Sequence, residues 1–321
     1  MFKTVLKQLS PTGERGRLSV LIFHRVLPAP DPIFPGEVDA VTFDAICGWM
    51  KSWCNVLPLD LAAQQLKDRT LPERAVAITF DDGYADNRTQ AQPILARHGL
   101  PATFFIATDF LDGGRMWNDT VIESVRWCRA AQLDLRSIAK PDGSGDLGLH
   151  SIASPTDKRI AIGAIIGQIK YLPVAQRHAL TLQIADRAEV QPPTDLMMTS
   201  QQVREMRQLD MQIGAHTRTH PILATLSPDA ARAEIHESRL CLEQLLGERV
   251  GLFAYPNGKP GTDYSPESVQ IVRDLGFDAA VSTTWGASHT GTDPFQIPRF
   301  TPWDRSKLRF GARFAGNLWR T

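Results

Sequence analysis

The chain has no surplus of either charge sign, no long hydrophobic run and only four cysteines among its 321 residues. Nothing approaches the ~20 consecutive apolar residues of a membrane-spanning helix. The opening stretch, with Lys3 and Lys7, lacks the apolar run of a secretory leader, so a cytoplasmic location is expected, with peripheral membrane association left open. Lys plus Arg number 35 and Asp plus Glu number 35, a balance that gives no reason to expect a nucleic-acid partner. Cys47, Cys54, Cys128 and Cys241 stand far apart with no CxxC spacing. That argues against a zinc ribbon or redox motif and predicts reduced thiols in the core.

What is present reads as an α/β protein. Leu18–Phe23, Ala75–Phe80, Ala102–Ile106, Met211–Ala215, Val250–Ala254 and Asp278–Ser282 are nearly continuous apolar runs. Such runs suit parallel strands covered on both faces. Helical grammar lies between them. Ser227-Pro228 starts one helix and Gly247 ends it, with Ile235, Leu242, Leu245 and Leu246 as its apolar stripe. Ser265-Pro266 to Gly276 repeats the pattern, with Val269, Val272 and Leu275 inward. Strand–helix alternation predicts a parallel sheet, open or closed into a barrel. Asp112–Thr199 mixes helical stretches such as Lys158–Lys170 with loop-like Pro141–Asp146, and is expected to be a largely helical insertion shaping substrate access.

Chemistry-bearing residues follow the strands: His24, then Asp81-Asp82-Gly83, then His216, then Tyr255-Pro256-Asn257-Gly258. Catalytic groups of α/β barrels collect at those carboxyl ends. His216-Thr-Arg-Thr-His220 has the spacing that can bring two imidazoles to one metal. Pro221 disfavours a helix at His220, so the pair is expected on a strand end and its following loop. Adjacent carboxylates at the end of an apolar strand are costly to desolvate, and a cation relieves that conflict. An Asp-Gly turn would account for a lone Asp-Asp-Gly; together with HxxxH, a metal accounts for both. Two imidazoles and one carboxylate form a three-ligand catalytic set. Zinc suits it best, and cobalt, nickel or iron(II) can occupy it.

Thr79–Tyr84 and His216–His220 resemble the first two motifs of the polysaccharide deacetylases, the NodB-homology carbohydrate esterases, and Phe253–Gly258 resembles a form of the third. The likeness runs from Phe23-His24-Arg25-Val26 to Pro298-Arg299-Phe300. It implies a distorted (β/α) barrel, one divalent metal ion and an N-acetylated glycan as substrate. By the same resemblance, Asp82, His216 and His220 hold the metal. Asp81 takes a proton from the attacking water, and a backbone N–H near Tyr255 faces the oxyanion. No late Leu-x-x-His is found, and His289 reads as solvent-exposed. His24 resembles the early histidine of circularly permuted members that deacetylate poly-N-acetylglucosamine, and is expected to be the acid; a satisfied core histidine is the alternative. The third motif carries no arginine, leaving Arg25 or Arg299 to support Asp81. Tyr255, Asn257 and Arg299 are candidates for substrate or oxyanion contact, and Trp117, Trp285 and Trp303 for stacking on sugar. Two rival readings keep the same residues: a deformylase or cyclic-amide hydrolase, and a catalytically silent carbohydrate-binding protein.

Overall fold

The computed structural model describes residues 2–319. Its strands are β1 (Leu18–Phe23), β2 (Asn55–Val56), β3 (Ala75–Phe80), β4 (Thr103–Ile106), β5 (Gln132–Asp134), β6 (Leu149–Ser151), β7 (Gln212–Ala215), β8 (Leu252–Ala254), β9 (Ala279–Val281) and β10 (Arg299–Phe300). The helices run α1 (Phe2–Leu9), α2 (Ala40–Trp53), α3 (Leu59–Lys67), α4 (Gln92–His98), α5 (Trp117–Trp127) and α6 (Pro155–Ile169). They continue with α7 (Val174–Arg187), α8 (Ser200–Gln208), α9 (Pro228–Leu246), α10 (Pro266–Asp274) and α11 (Lys307–Trp319). All six apolar runs form strands, four of them shortened by a residue or two at the ends.

The sheet order is β10-β1-β3-β4-β7-β8-β9, every pair parallel, with β2 also beside β3. The seven strands nearly close into a barrel. Ser282 N–H donates to the Ile297 carbonyl at 2.9 Å and Ile297 N–H to that of Ala280 at 3.0 Å, just before β10 begins. The expected (β/α) barrel is therefore the observed fold.

Strand alternation sorts the side chains into two apolar clusters. Leu18 and Val20, Ala75 and Ala77, Phe105, Leu252 and Ala254, and Ala279 and Val281 form one cluster with Leu59, Ala62 and Leu66 of α3. This is the barrel interior, closed at one end by α3, where Gln212 accepts from the Leu59 N–H at 2.8 Å. The alternate residues, such as Leu21, Val76, Ile78, Phe104, Ile213 and Phe253, face the surrounding helices. Helix α9 begins on the Ser227 cap and ends on left-handed Gly247, and Ile235 and Leu242 are fully buried.

The chain gathers into two compact units. The barrel unit comprises the chain up to Ala29, Val38–Asp112 and everything from Met197. The second comprises Pro30–Glu37 and Gly113–Leu196, interrupting the first in sequence after β1 and after β4. It holds α5, α6, α7 and the antiparallel pair β5–β6 around its own apolar cluster, which includes Val121, Val125, Ile165, Leu180 and Ile184. Cys47, Cys54 and Cys128 are buried free thiols, whereas Cys241 on α9 is exposed, so not every thiol lies in the core.

Gly214 marks a close approach inside the barrel wall. A Cβ there would lie 2.4 Å from Phe105 Cδ1 and 3.1 Å from the Leu252 carbonyl oxygen. Gly214→Ala is expected to cost about 1–3 kcal/mol through overpacking, lowering the urea midpoint at unchanged m. An unshifted midpoint would mean that the wall there is loosely packed.

Candidate metal centre

The alternation that fills the barrel also aims its chemistry. Ala75, Ala77 and Thr79 face inward along β3, and one pleat further comes Asp81. His24 continues the inward row of β1, and His216 that of β7 through Gly214. Asp81 and His216 are 2% and 1% exposed. His24 is exposed, so the core-histidine alternative does not describe it.

Asp81 is held by Arg299. The guanidinium donates from Nη1 to Oδ1 and from Nη2 to Oδ2, both at 2.7 Å, in a fully buried fork. Its Nε donates to the Ser282 carbonyl at 2.8 Å and Nη1 also reaches Thr79 Oγ1 at 3.2 Å. Burial pushes the Asp81 carboxyl upward, but the charges of Arg299 and His216 outweigh it and hold Asp81 below the usual carboxylate range. Of the two arginines considered, Arg299 supports Asp81. Arg25 instead pairs with Asp86 at 2.7 Å and lies over the Tyr84 ring. A fully buried Arg299 committed to Asp81 is not placed to touch a sugar, which corrects that expectation.

Asp82 turns the other way. Its φ of 77° is left-handed, and Gly83 follows at 90°, so the chain bends sharply and the second carboxylate leaves the first. Asp82 Oδ1 lies 3.4 Å from His216 Nε2 and 3.4 Å from His220 Nε2. That oxygen is buried and has no hydrogen-bond partner. His216 Nδ1 contacts the Ala254 carbonyl at 2.7 Å. A carbonyl only accepts, so Nδ1 carries the proton and Nε2 is the nitrogen turned toward Asp82. Two imidazole nitrogens and one carboxylate oxygen thus converge, and the oxygen is hydrogen-bonded to neither ring. A divalent cation satisfies all three, and a carbonyl-anchored imidazole is the usual support of a ligating histidine. Among the described residues, Asp82, His216 and His220 are the set whose ligand atoms all lie within 4.8 Å of one another. Burial pushes His220 down to about 4, against the pull of Asp82, so its ring is neutral at neutral pH. His216 is shifted upward: burial opposes the shift, and Asp82 and Asp81 overcome it.

The histidine loop is bent at both ends. Thr217 and His220 have φ of 64° and 52°, conformations costing about 1–3 kcal/mol each for ordinary residues. Glu234 on α9 offsets this. Its carboxylate accepts from Arg218 N–H at 3.0 Å, Thr219 N–H at 2.9 Å and Thr219 Oγ1 at 2.8 Å. The loop carrying His24 is pinned as tightly. Asn87 Nδ2 donates to the His24 carbonyl at 2.9 Å, and Asp86 accepts from Val26 N–H at 3.0 Å. These two residues open a π-helical turn, Asn87–Ala91, that sits ahead of α4. Neither Glu234 nor the Asp86–Asn87 pair was singled out from the sequence.

Tyr255 departs from expectation. It follows Phe253 on the outward parity of β8 and is fully buried, its ring stacked on Tyr264 at 3.9 Å. Its N–H donates to the Val281 carbonyl at 3.2 Å, so neither ring nor amide is free for a substrate or an oxyanion. Asn257 is half-buried in the turn after β8, at φ 57°, with Thr283 Oγ1 bonded to its carbonyl at 2.8 Å. Trp303 is exposed and packs at 5.6 Å on half-buried Trp285. Trp117 lies in the second unit beneath Arg177. His289 is exposed, as read from the sequence.

Residues 68–153 and 170–280 match the family model described as polysaccharide deacetylase. The Bacillus subtilis (strain 168) protein YxkH, which carries the name of a polysaccharide deacetylase, is 20% identical over 290 residues, 90% of this chain and 72% of that protein. The solved Streptococcus pyogenes deacetylase PplD, in complex with acetate, superposes at TM-score 0.59 and 20% identity, over 89% of this chain and 92% of its own. IcaB from Ammonifex degensii gives 0.60 at 18% identity, over 96% and 98%. These structures share the barrel fold.

The Asp81–Arg299 pair has a readable pH signature. A carboxyl depressed in the folded state adds stability that is present above its unfolded value, about 3.9, and lost as pH falls through the folded one. Arg299→Met strands Asp81 and is expected to cost about 3–5 kcal/mol at pH 7. Urea unfolding should show that gap narrowing on acidification, first as the stranded Asp81 of the variant protonates and then, below the unfolded value, as the parent loses its own contribution. A gap that does not change with pH would mean that the arginine acts by packing alone.

Proposed function

The chain belongs to the polysaccharide deacetylase family, and from that premise we propose that it removes N-acetyl groups from an N-acetylated polysaccharide or glycan intermediate. We assign metal binding to Asp82, His216 and His220, the base to Asp81 and the acid to His24. The observation that carries this reading is the unbonded Asp82 oxygen set equidistant from two imidazole nitrogens, beside a carboxylate locked by an arginine. A divalent ion bound there, zinc by preference, supplies Lewis acidity toward an acyl oxygen and toward water.

The protein's own groups do the rest. Asp81, kept ionised by Arg299, takes one proton from the attacking water, whose oxygen bonds to the acyl carbon. As the carbon–nitrogen bond breaks, the electron pair stays on nitrogen. His24, exposed at the end of β1, protonates that nitrogen so that it leaves as a neutral amine. His24 directly follows Phe23, which pairs with Phe80 across β1 and β3 and whose carbonyl accepts from the Asp81 N–H at 2.9 Å, in support of a place at the same mouth. Asn257 is the substrate contact we retain. Tyr255 becomes a supporting residue beneath the turn. We treat the second unit as an insertion within one catalytic domain.

The test is acetate release from N-acetylglucosamine oligomers by the zinc- or cobalt-loaded protein. Chelation should abolish release and added metal restore it. Asp81→Asn should keep one metal per chain and lose turnover by about 10²–10⁴-fold. An undiminished Asp81→Asn variant would remove Asp81 from the base role. Formate release or ring opening, from a parallel panel of formylated sugars and cyclic amides, would keep the site and overturn the acetyl assignment.

A further inference from the structure

Helices α1 and α11 pack side by side on the barrel unit. A Cβ on Gly311 would come within 2.8 Å of the Phe2 ring, and the Arg17 guanidinium donates to the Leu318 carbonyl. Their inner faces bury Leu6, Phe310, Phe314 and Leu318. The outer sides are another matter. Leu308 is 73% exposed, Trp319 76% and Val5 37%, and Trp303, just before α11, is 60% exposed. Leu308, Ala312, Gly316 and Trp319 follow one another at helical spacing, an apolar stripe along solvent. The same two helices carry exposed Lys3, Lys7, Lys307 and Arg309, of which Lys307 lies over the Trp53 ring.

Neither helix contains an aspartate or glutamate. Two nearby carboxylates are already engaged: Glu73 with Lys7 at 2.9 Å and Asp304 with Arg313 at 2.9 Å. In a chain whose positive and negative side chains number 35 each, this is a local segregation of charge. We propose that the α1–α11 face docks on an anionic lipid surface. Basic side chains would meet headgroup phosphates, while Leu308 and Trp319, at the two ends of the stripe, enter the headgroup–acyl boundary. A second copy of the chain is a poorer occupant, because an isologous contact sets this cationic face against itself. The inference is independent of the deacetylase reading.

Vesicle flotation of the full chain tests it. The protein should float with phosphatidylcholine vesicles carrying about 30% phosphatidylglycerol, not with phosphatidylcholine alone, and high salt should release it. Lys3→Ala with Arg309→Ala should lower partitioning roughly 25-fold, about fivefold for each cation removed. Leu308→Ser with Trp319→Ser should also weaken it. All four side chains point to solvent, and circular dichroism checks each fold, the charge pair serving alone if the apolar pair misfolds. No flotation with anionic vesicles, equal flotation with neutral ones, or variants that float like the parent would overturn the proposal. So would a dimer in lipid-free solution that these substitutions dissociate, which would give the face to a second copy.

Discussion

Two successive buried carboxylates, Asp81 and Asp82, are the constraint around which the barrel mouth is arranged. Neither tolerates burial as a bare anion, and each needs positive charge of its own. For Asp81 the sheet supplies it. The register that sets Arg299 beside Val20 places a guanidinium inside the barrel, where its fork occupies both oxygens of the carboxylate. That fork fixes the orientation of Asp81. The left-handed turn at Asp82 separates the second carboxylate from the first and points it at the two imidazoles.

The loops that complete the mouth hold conformations that isolated chain would avoid, and each has its own anchor. Glu234 takes three donors from the Arg218-Thr219 corner, stabilising left-handed Thr217 and His220. The Asp86–Asn87 pair engages the backbone at both His24 and Val26. The Ala254 carbonyl sets the ring of His216. Five strands thus contribute to one site: β1 through His24, β3 through Asp81 and Asp82, β7 through His216, β8 through the Ala254 carbonyl and β10 through Arg299.

Much of this was readable in the sequence, and what was missed shows the limits of the signals. The strands were legible because parallel strands covered on both faces leave continuous apolar runs. Helix α9 was legible because Ser227, Pro228 and Gly247 are strong boundary residues. The inward aim of Asp81 and His216 follows from period-two alternation. The same alternation, applied to Phe253 and Tyr255, would have placed that tyrosine under the helices; its adjacency to a motif drew it to the surface instead. The choice between Arg299 and Arg25 was beyond reach, since Arg299 lies 218 residues from Asp81 and only the closing of the barrel joins them. Glu234 carries no sequence signal at all, for a glutamate on a solvated helix face reads like any other. Pro30–Glu37 is too short for a periodic pattern to assign it to the second unit.

The central claim is that Asp82 Oδ1 and the two Nε2 atoms converge on one cation. Crystals grown with zinc and measured at its absorption edge test this most directly. A single anomalous peak is expected among Asp82, His216 and His220, with Asp81 still forked to Arg299. A peak elsewhere, or an empty pit in which a protonated His216 donates to Asp82 despite excess zinc, would contradict it.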